Sequence, residues 1–147
     1  MFSSEKIVKK SDSLIELLSA QCADLENLLS LARAETAAAE REDFEEILLI
    51  VTKRDEISQR LETFQRQIGE LRGFLGAHEA NQKQNAIAER IVETANLTLA
   101  QDGKTKLLLS AVRENAAKEL QNMEKANRGA NAYLRDTRKG LAYNRNF

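Results

Sequence analysis

Residues 57–75 read ISQRLETFQRQIGELRGFL, and their apolar members Ile57, Leu61, Phe64, Ile68, Leu71 and Leu75 recur in steps of four and three. That spacing puts all six on one stripe of an α-helix; a strand would alternate at every second residue. Phe44, Ile47 and Val51 extend the stripe toward the N-terminus. An earlier stripe runs Leu14, Leu18, Gln21, Leu25, Leu28 and Ala32, widened by Leu17, Cys22 and Leu29. No Gly or Pro lies between Ser13 and Ile68. A single helix of about 60 residues would nevertheless be about 90 Å long, with nothing in the chain to cover it. A turn near Glu40–Asp43 lets the two stripes bury each other as an αα-hairpin. Ser13 with Glu16, and Asp43 with Glu46, are candidate capping boxes for the two helices.

Toward the C-terminus, Gly69, Gly73 and Gly76 weaken the second helix, and a polar loop is expected from about Gly76 to Gln82. A shorter third helix carries Ile87, Ile91, Val92, Ala95 and Leu99, and Gln101-Asp102-Gly103 reads as a turn. The last helix carries Leu109, Val112, Ala116, Leu120, Met123, Asn127, Ala130, Leu134, Thr137 and Leu141. From Leu120 onward the steps alternate strictly between three and four, a coiled-coil-like repeat. Gly140 marks its expected end, before a polar tail to Phe147. The expected fold is therefore all-α: an antiparallel helical hairpin or bundle with long first, second and last helices and a shorter third. It forms one domain over residues 1–147, with a mobile C-terminal segment over 120–147.

Composition agrees with this reading. The chain has no Pro, no Trp and only six Gly, and its commonest residues lose little side-chain freedom in a helix. Net charge is −1, which by itself argues for no partner. Cys22 is the only cysteine, so no internal disulfide forms; among Leu17, Leu18, Leu25 and Leu28 it reads as a small buried hydrophobe. No run of apolar residues is long enough to span a membrane, and residues 1–10 lack an apolar signal-peptide core. The expectation is a cytoplasmic protein with no membrane insertion.

Chemistry-bearing constellations are scarce. His78 is the only histidine and reads as a solvated loop residue. One His and one Cys do not make a usual zinc site, and Leu75, three before His78, breaks the Glu-x-x-His pattern of helical di-iron sites. Gly103-Lys104-Thr105 ends like a phosphate-binding loop, but the glycine that the pattern needs five residues earlier is Thr98. Asn96-Leu97-Thr98 matches a glycosylation acceptor inside an expected cytoplasmic helix. The acidic Glu40-Arg41-Glu42-Asp43 and Glu45-Glu46 suit a helix start. No catalytic, cofactor or metal site is expected, and the chain reads as a non-enzyme that needs no cofactor. From Lys125 to Phe147 six Lys and Arg face one acid, Asp136. A nucleic-acid-binding bundle is therefore an alternative reading, although the charges are spread round a helix and not gathered into a patch.

The last helix is uneven. Leu, Val and Met supply its first half, whereas Asn127, Ala130 and Thr137 occupy later seam positions, with Tyr133 and Tyr143 off or beyond the seam. Spare aromatic groups beside weak seam residues suit an interface. The candidate partner-binding residues are Met123, Asn127, Ala130, Asn131, Tyr133, Leu134, Leu141 and Tyr143, and an exposed seam of this kind also suits a self-associating scaffold.

The run Leu14-Ile15-Glu16-Leu17-Leu18, then Leu25-Glu26-Asn27-Leu28-Leu29-Ser30-Leu31, Glu35, Asp43-Phe44-Glu45-Glu46-Ile47 and Lys53-Arg54-Asp55-Glu56-Ile57 to Leu61 resembles the FlgN-type flagellar export chaperones. These begin with a Leu-rich helix, an acidic turn and a second helix with a Lys-centred polar break. Asn127-Arg128-Gly129-Ala130-Asn131-Ala132-Tyr133-Leu134 is similar to the family's Asn-rich C-terminal segment. Here Asn127 and Asn131 are four apart and Gly129 precedes Asn131. The resemblance implies a cytoplasmic chaperone that covers the aggregation-prone terminal helices of flagellar hook-associated proteins and presents them to the type III export apparatus. Such a contact is helix-in-groove in character.

Overall fold

In the computed structural model the structure describes residues 4–75 and 82–145, with side chains described as far as residue 138. The helices are α1 (Ser4–Glu40), α2 (Phe44–Leu75) and α3 (Gln82–Arg145). Every described residue outside positions 41–43 is helical, and none is in a strand. Among the described residues no helix is long and apolar enough to cross a membrane. By packing the chain divides into two units, Met1–Leu108 and Leu109–Phe147.

The expected turn after Glu40 is present and very short. Glu42 has φ of 55°. Its N–H donates to the Ala39 carbonyl at 3.1 Å, and the Asp43 N–H donates to the Ala38 carbonyl at 2.9 Å. This is a Schellman closure, with a glutamate where glycine is usual. Asp43 then starts the next helix, its Oδ1 accepting the Glu46 N–H at 3.2 Å, as a capping aspartate does. One residue thus closes α1 and opens α2.

Across the hairpin Asp24 pairs with Arg60 and Glu35 with Arg54, so the helices run antiparallel. The apolar cluster at the open end is built from Leu14, Leu18, Ile68 and Leu75, with Ile7, Phe64, Ile87 and Ile91 packed around it. Toward the turn α1 buries the small side chains Ala32, Ala38 and Ala39. Residues 82–108 of α3 run alongside α1 in the same direction: Gln84 reaches Ser11, Arg90 reaches Glu26, and Thr105 reaches Thr36.

Several expectations are corrected. Three helices replace four. Ser13 is not an N-cap; α1 begins at Ser4 because earlier residues have tertiary partners, including Ile7 in the core and Lys10, 3.9 Å from the Phe74 ring centroid. The inward row of α2 is Ile47, Ile50, Arg54, Ile57, so Phe44 and Val51 are exposed. Gln101-Asp102-Gly103 is helical and not a turn, because Gln101 and Asp102 spend their polar groups on Thr36 and Arg54 across the bundle. Gly140 does not end the last helix, which continues to Arg145. Gly76, His78 and Glu79, in the expected loop, lie outside the described residues, and Gln82 is already helical.

The largest departure is the face that α3 turns inward. Val92 and Leu99, expected in the core, are 58% and 68% exposed, while Thr94, Thr98 and Thr105 are buried. The inward row is Gln84, Ile87, Ile91, Thr94, Thr98, Gln101, Thr105, a strict alternation of three and four. A polar row can be buried only if its groups are satisfied. Thr98 donates to the Thr94 carbonyl at 2.9 Å. Gln101 Nε2 donates to Thr36 Oγ1 at 2.6 Å, and the Thr36 and Thr105 hydroxyls lie 2.8 Å apart. Among the described residues no buried side-chain nitrogen or oxygen lacks a partner.

Candidate partner-binding site

In the unit Leu109–Phe147 the seam positions 120, 123, 127, 130, 134 and 137 lie on one face of a helix, because steps of three and four return to the same side every seven residues. None of the residues 109–138 is buried; Leu109 and Val112 are half-buried and the rest are exposed. Leu120, Met123 and Leu134 are 61%, 63% and 52% exposed. Asn127 and Ala130 complete this face, and both are exposed.

Asn131 and Tyr133 flank the face on opposite sides, as their positions one after Ala130 and one before Leu134 require. Tyr133 is 72% exposed, and its carbonyl accepts the Thr137 hydroxyl at 2.9 Å. Six of the eight candidate residues therefore gather on or beside one apolar row. The side chains of Leu141 and Tyr143 lie outside the described residues. Leu120 belongs to the same row and was absent from the sequence-derived set; its place in the strict repeat was the available signal. Lys125, Arg128, Arg135 and Arg138, with Glu124 and Asp136, are exposed around the face.

In the other unit the polar groups are engaged with one another. Arg54 Nη1 and Nη2 donate to the two Asp102 carboxylate oxygens, both at 2.8 Å, and Nη1 also donates to Glu35. These contacts, Asp102 first, hold the guanidinium pKa above its ordinary value although burial opposes them. The Lys53-Arg54-Asp55-Glu56 interruption gave no hint of this group by composition. The register did, since Arg54 lies four after Ile50 and three before Ile57.

Cys22 is buried. Desolvation, then the nearby Glu26 carboxylate, pushes its thiol pKa up from 9.0, the opposite of what a reactive thiolate needs. A shallow cleft between α1 and α2 is lined by Lys10, Ser13, Glu16, Leu17, Gln67, Glu70 and Leu71. It contains no histidine or cysteine. Among the described residues no three His, Cys, Asp or Glu side chains are grouped so as to hold a metal ion.

No family model matches the chain, and neither a curated protein nor a solved structure is significantly similar to it.

Proposed function

We propose that the chain is a cytoplasmic flagellar export chaperone of the FlgN type, which holds the terminal helices of hook-associated subunits along the 120–137 face until the export apparatus takes them. The observation that carries this reading is the row Leu120, Met123, Asn127, Ala130, Leu134, regular as a coiled-coil seam and exposed at every position. An apolar row at this spacing is what an amphipathic helix needs as its complement. The modest seam residues Asn127 and Ala130 favour a contact that forms and later releases. On this reading binding is mechanical covering: the client's assembly surface is buried, and no cofactor or covalent step is involved.

The test is copurification of a hook-associated subunit with the full-length protein and with Met123→Asp/Leu134→Asp. Both substituted positions are exposed, so the variant should fold. Binding by the parent and its loss in the variant are expected; equal binding by the two would overturn the reading.

A self-associating coiled coil is the second reading, favoured by Asn127, because an asparagine at such a seam position specifies register between identical helices. Sedimentation separates the two. A concentration-dependent dimer abolished by Leu134→Asp supports the scaffold, and a monomer supports the chaperone.

A further inference from the structure

The first turns of α2 carry a second exposed apolar face, which the reading above does not use. Phe44, Leu48 and Val51 follow one another at i, i+4 and i+7, and are 50%, 68% and 39% exposed. Leu49, 58% exposed, stands beside Leu48. The hairpin's own core takes Ile47 and Ile50 from the same two turns, so this stretch is apolar on both sides. Scattered exposed leucines need no explanation, but a contiguous apolar row rimmed by charge marks an interaction surface.

The rim has one dominant sign. Residues 40–55 contain the acids Glu40, Glu42, Asp43, Glu45, Glu46 and Asp55 against the bases Arg41, Lys53 and Arg54. Arg54 is turned inward onto Asp102 and Glu35, which removes it from this surface. Glu45 and Asp55 are exposed on the same helix and lie beside the apolar row, Asp55 four residues beyond Val51. A partner helix that covers Leu48 and Leu49 brings its flanking side chains against these carboxylates. Acidic flanks there would be repelled and basic ones attracted.

We infer that the Phe44–Asp55 face of α2 is a docking surface for a basic amphipathic helix of a partner protein, separate from the 120–137 face. The apolar row supplies the contact area and Glu45 and Asp55 set the sign of the partner. Binding there leaves the hairpin core untouched, since Ile47 and Ile50 point the other way.

The test uses the full-length protein and two synthetic helical peptides of about 18 residues, with Leu at i, i+3, i+4 and i+7 and either Lys or Glu elsewhere. The Lys peptide is expected to shift backbone amide resonances within Phe44–Asp55 and to bind more weakly as salt rises; the Glu peptide should not bind. Leu48→Ser/Leu49→Ser should weaken the Lys peptide about tenfold or more, as loss of two interface anchors does, with unchanged circular dichroism. Glu45→Lys/Asp55→Lys keeps the apolar row and should weaken it by a similar factor, so the inference is tested even if the leucine variant fails to fold. Equal binding of the two peptides, shifts centred on Leu120–Arg138 in place of α2, or a dimer of the protein that Leu48→Ser abolishes would each overturn it.

Discussion

Arg54 of α2 makes a two-pronged pair with Asp102 of α3, each contact 2.8 Å, and the same guanidinium reaches Glu35 of α1. One side chain thereby ties three helices. The cation sits in the otherwise apolar inward row of α2, between Ile50 and Ile57, where a leucine would complete a simpler core.

Replacing Arg54 by Ala leaves Glu35, which is 8% exposed, without its cation. Breaking a fully buried pair costs roughly 3–5 kcal/mol. Asp102 keeps 36% side-chain exposure and can rehydrate, so the expected loss is about 2 kcal/mol. Urea unfolding measures it. Arg54→Met with Glu35→Leu should recover most of the loss, because apolar packing replaces the pair without stranding a charge.

Gly103 is a helical residue, and a Cβ added there meets nothing within 4 Å. Gly103→Ala should therefore stabilise the protein by about 1 kcal/mol, the propensity difference at an open helix site. A turn at this position would give the opposite sign, so the thermal midpoint of this one variant distinguishes three helices from four.

Glu42 occupies the left-handed region with φ of 55°, where a side chain costs roughly 1–2 kcal/mol and glycine loses about 0.5–1 kcal/mol in chain entropy. Glu42→Gly should stabilise by up to about 1 kcal/mol, whereas Glu42→Val should destabilise. Calorimetry on the pair of variants checks the sign of each.

Leu18 is 2% exposed and Leu120 is 61% exposed. A carboxylate at the first has no water to solvate it, so Leu18→Asp should cost more than about 4 kcal/mol, while Leu120→Asp should stay within about 0.5 kcal/mol of the parent. Leu25, the mid-stripe position by sequence, is only half-buried and should fall between them. Hydrogen exchange extends the contrast: amides of 120–138 should exchange faster than those of 14–29, since opening a stretch with no buried residue costs little.

Burial and Glu26 raise the Cys22 thiol pKa from 9.0, so near pH 7.5 the folded protein holds it protonated. Alkylation by iodoacetamide should be slow in the native state and fast in urea. The sign for stability follows: the folded state binds this proton more tightly than the unfolded chain, so the contribution is fully present below about pH 9 and is lost as pH rises through the folded-state value.

The sequence by itself determined the helical class and the regular row from Leu120 onward, and it favoured a hairpin turn near Glu40–Asp43 over one continuous helix, which the structure then placed at residues 41–43. These follow from local matters: the period of apolar residues, the absence of proline, and Asp43 placed to cap. Gly103 misled because a glycine after Gln-Asp carries a turn signal that outweighs its neighbours until their partners are known. Only the tertiary structure decided which face of α3 turns inward. Val92 and Leu99 are more hydrophobic than Thr94 and Thr98, so the helix read alone puts Val92 and Leu99 inside. Across the bundle, however, Thr36 offers hydrogen bonds to Gln101 and Thr105, and Thr98 satisfies its hydroxyl on the Thr94 carbonyl of its own helix. A helix's inward face is set by what it meets as much as by its own hydrophobicity, and that partner lies about seventy residues away in the chain, as Thr36 and Thr105 do.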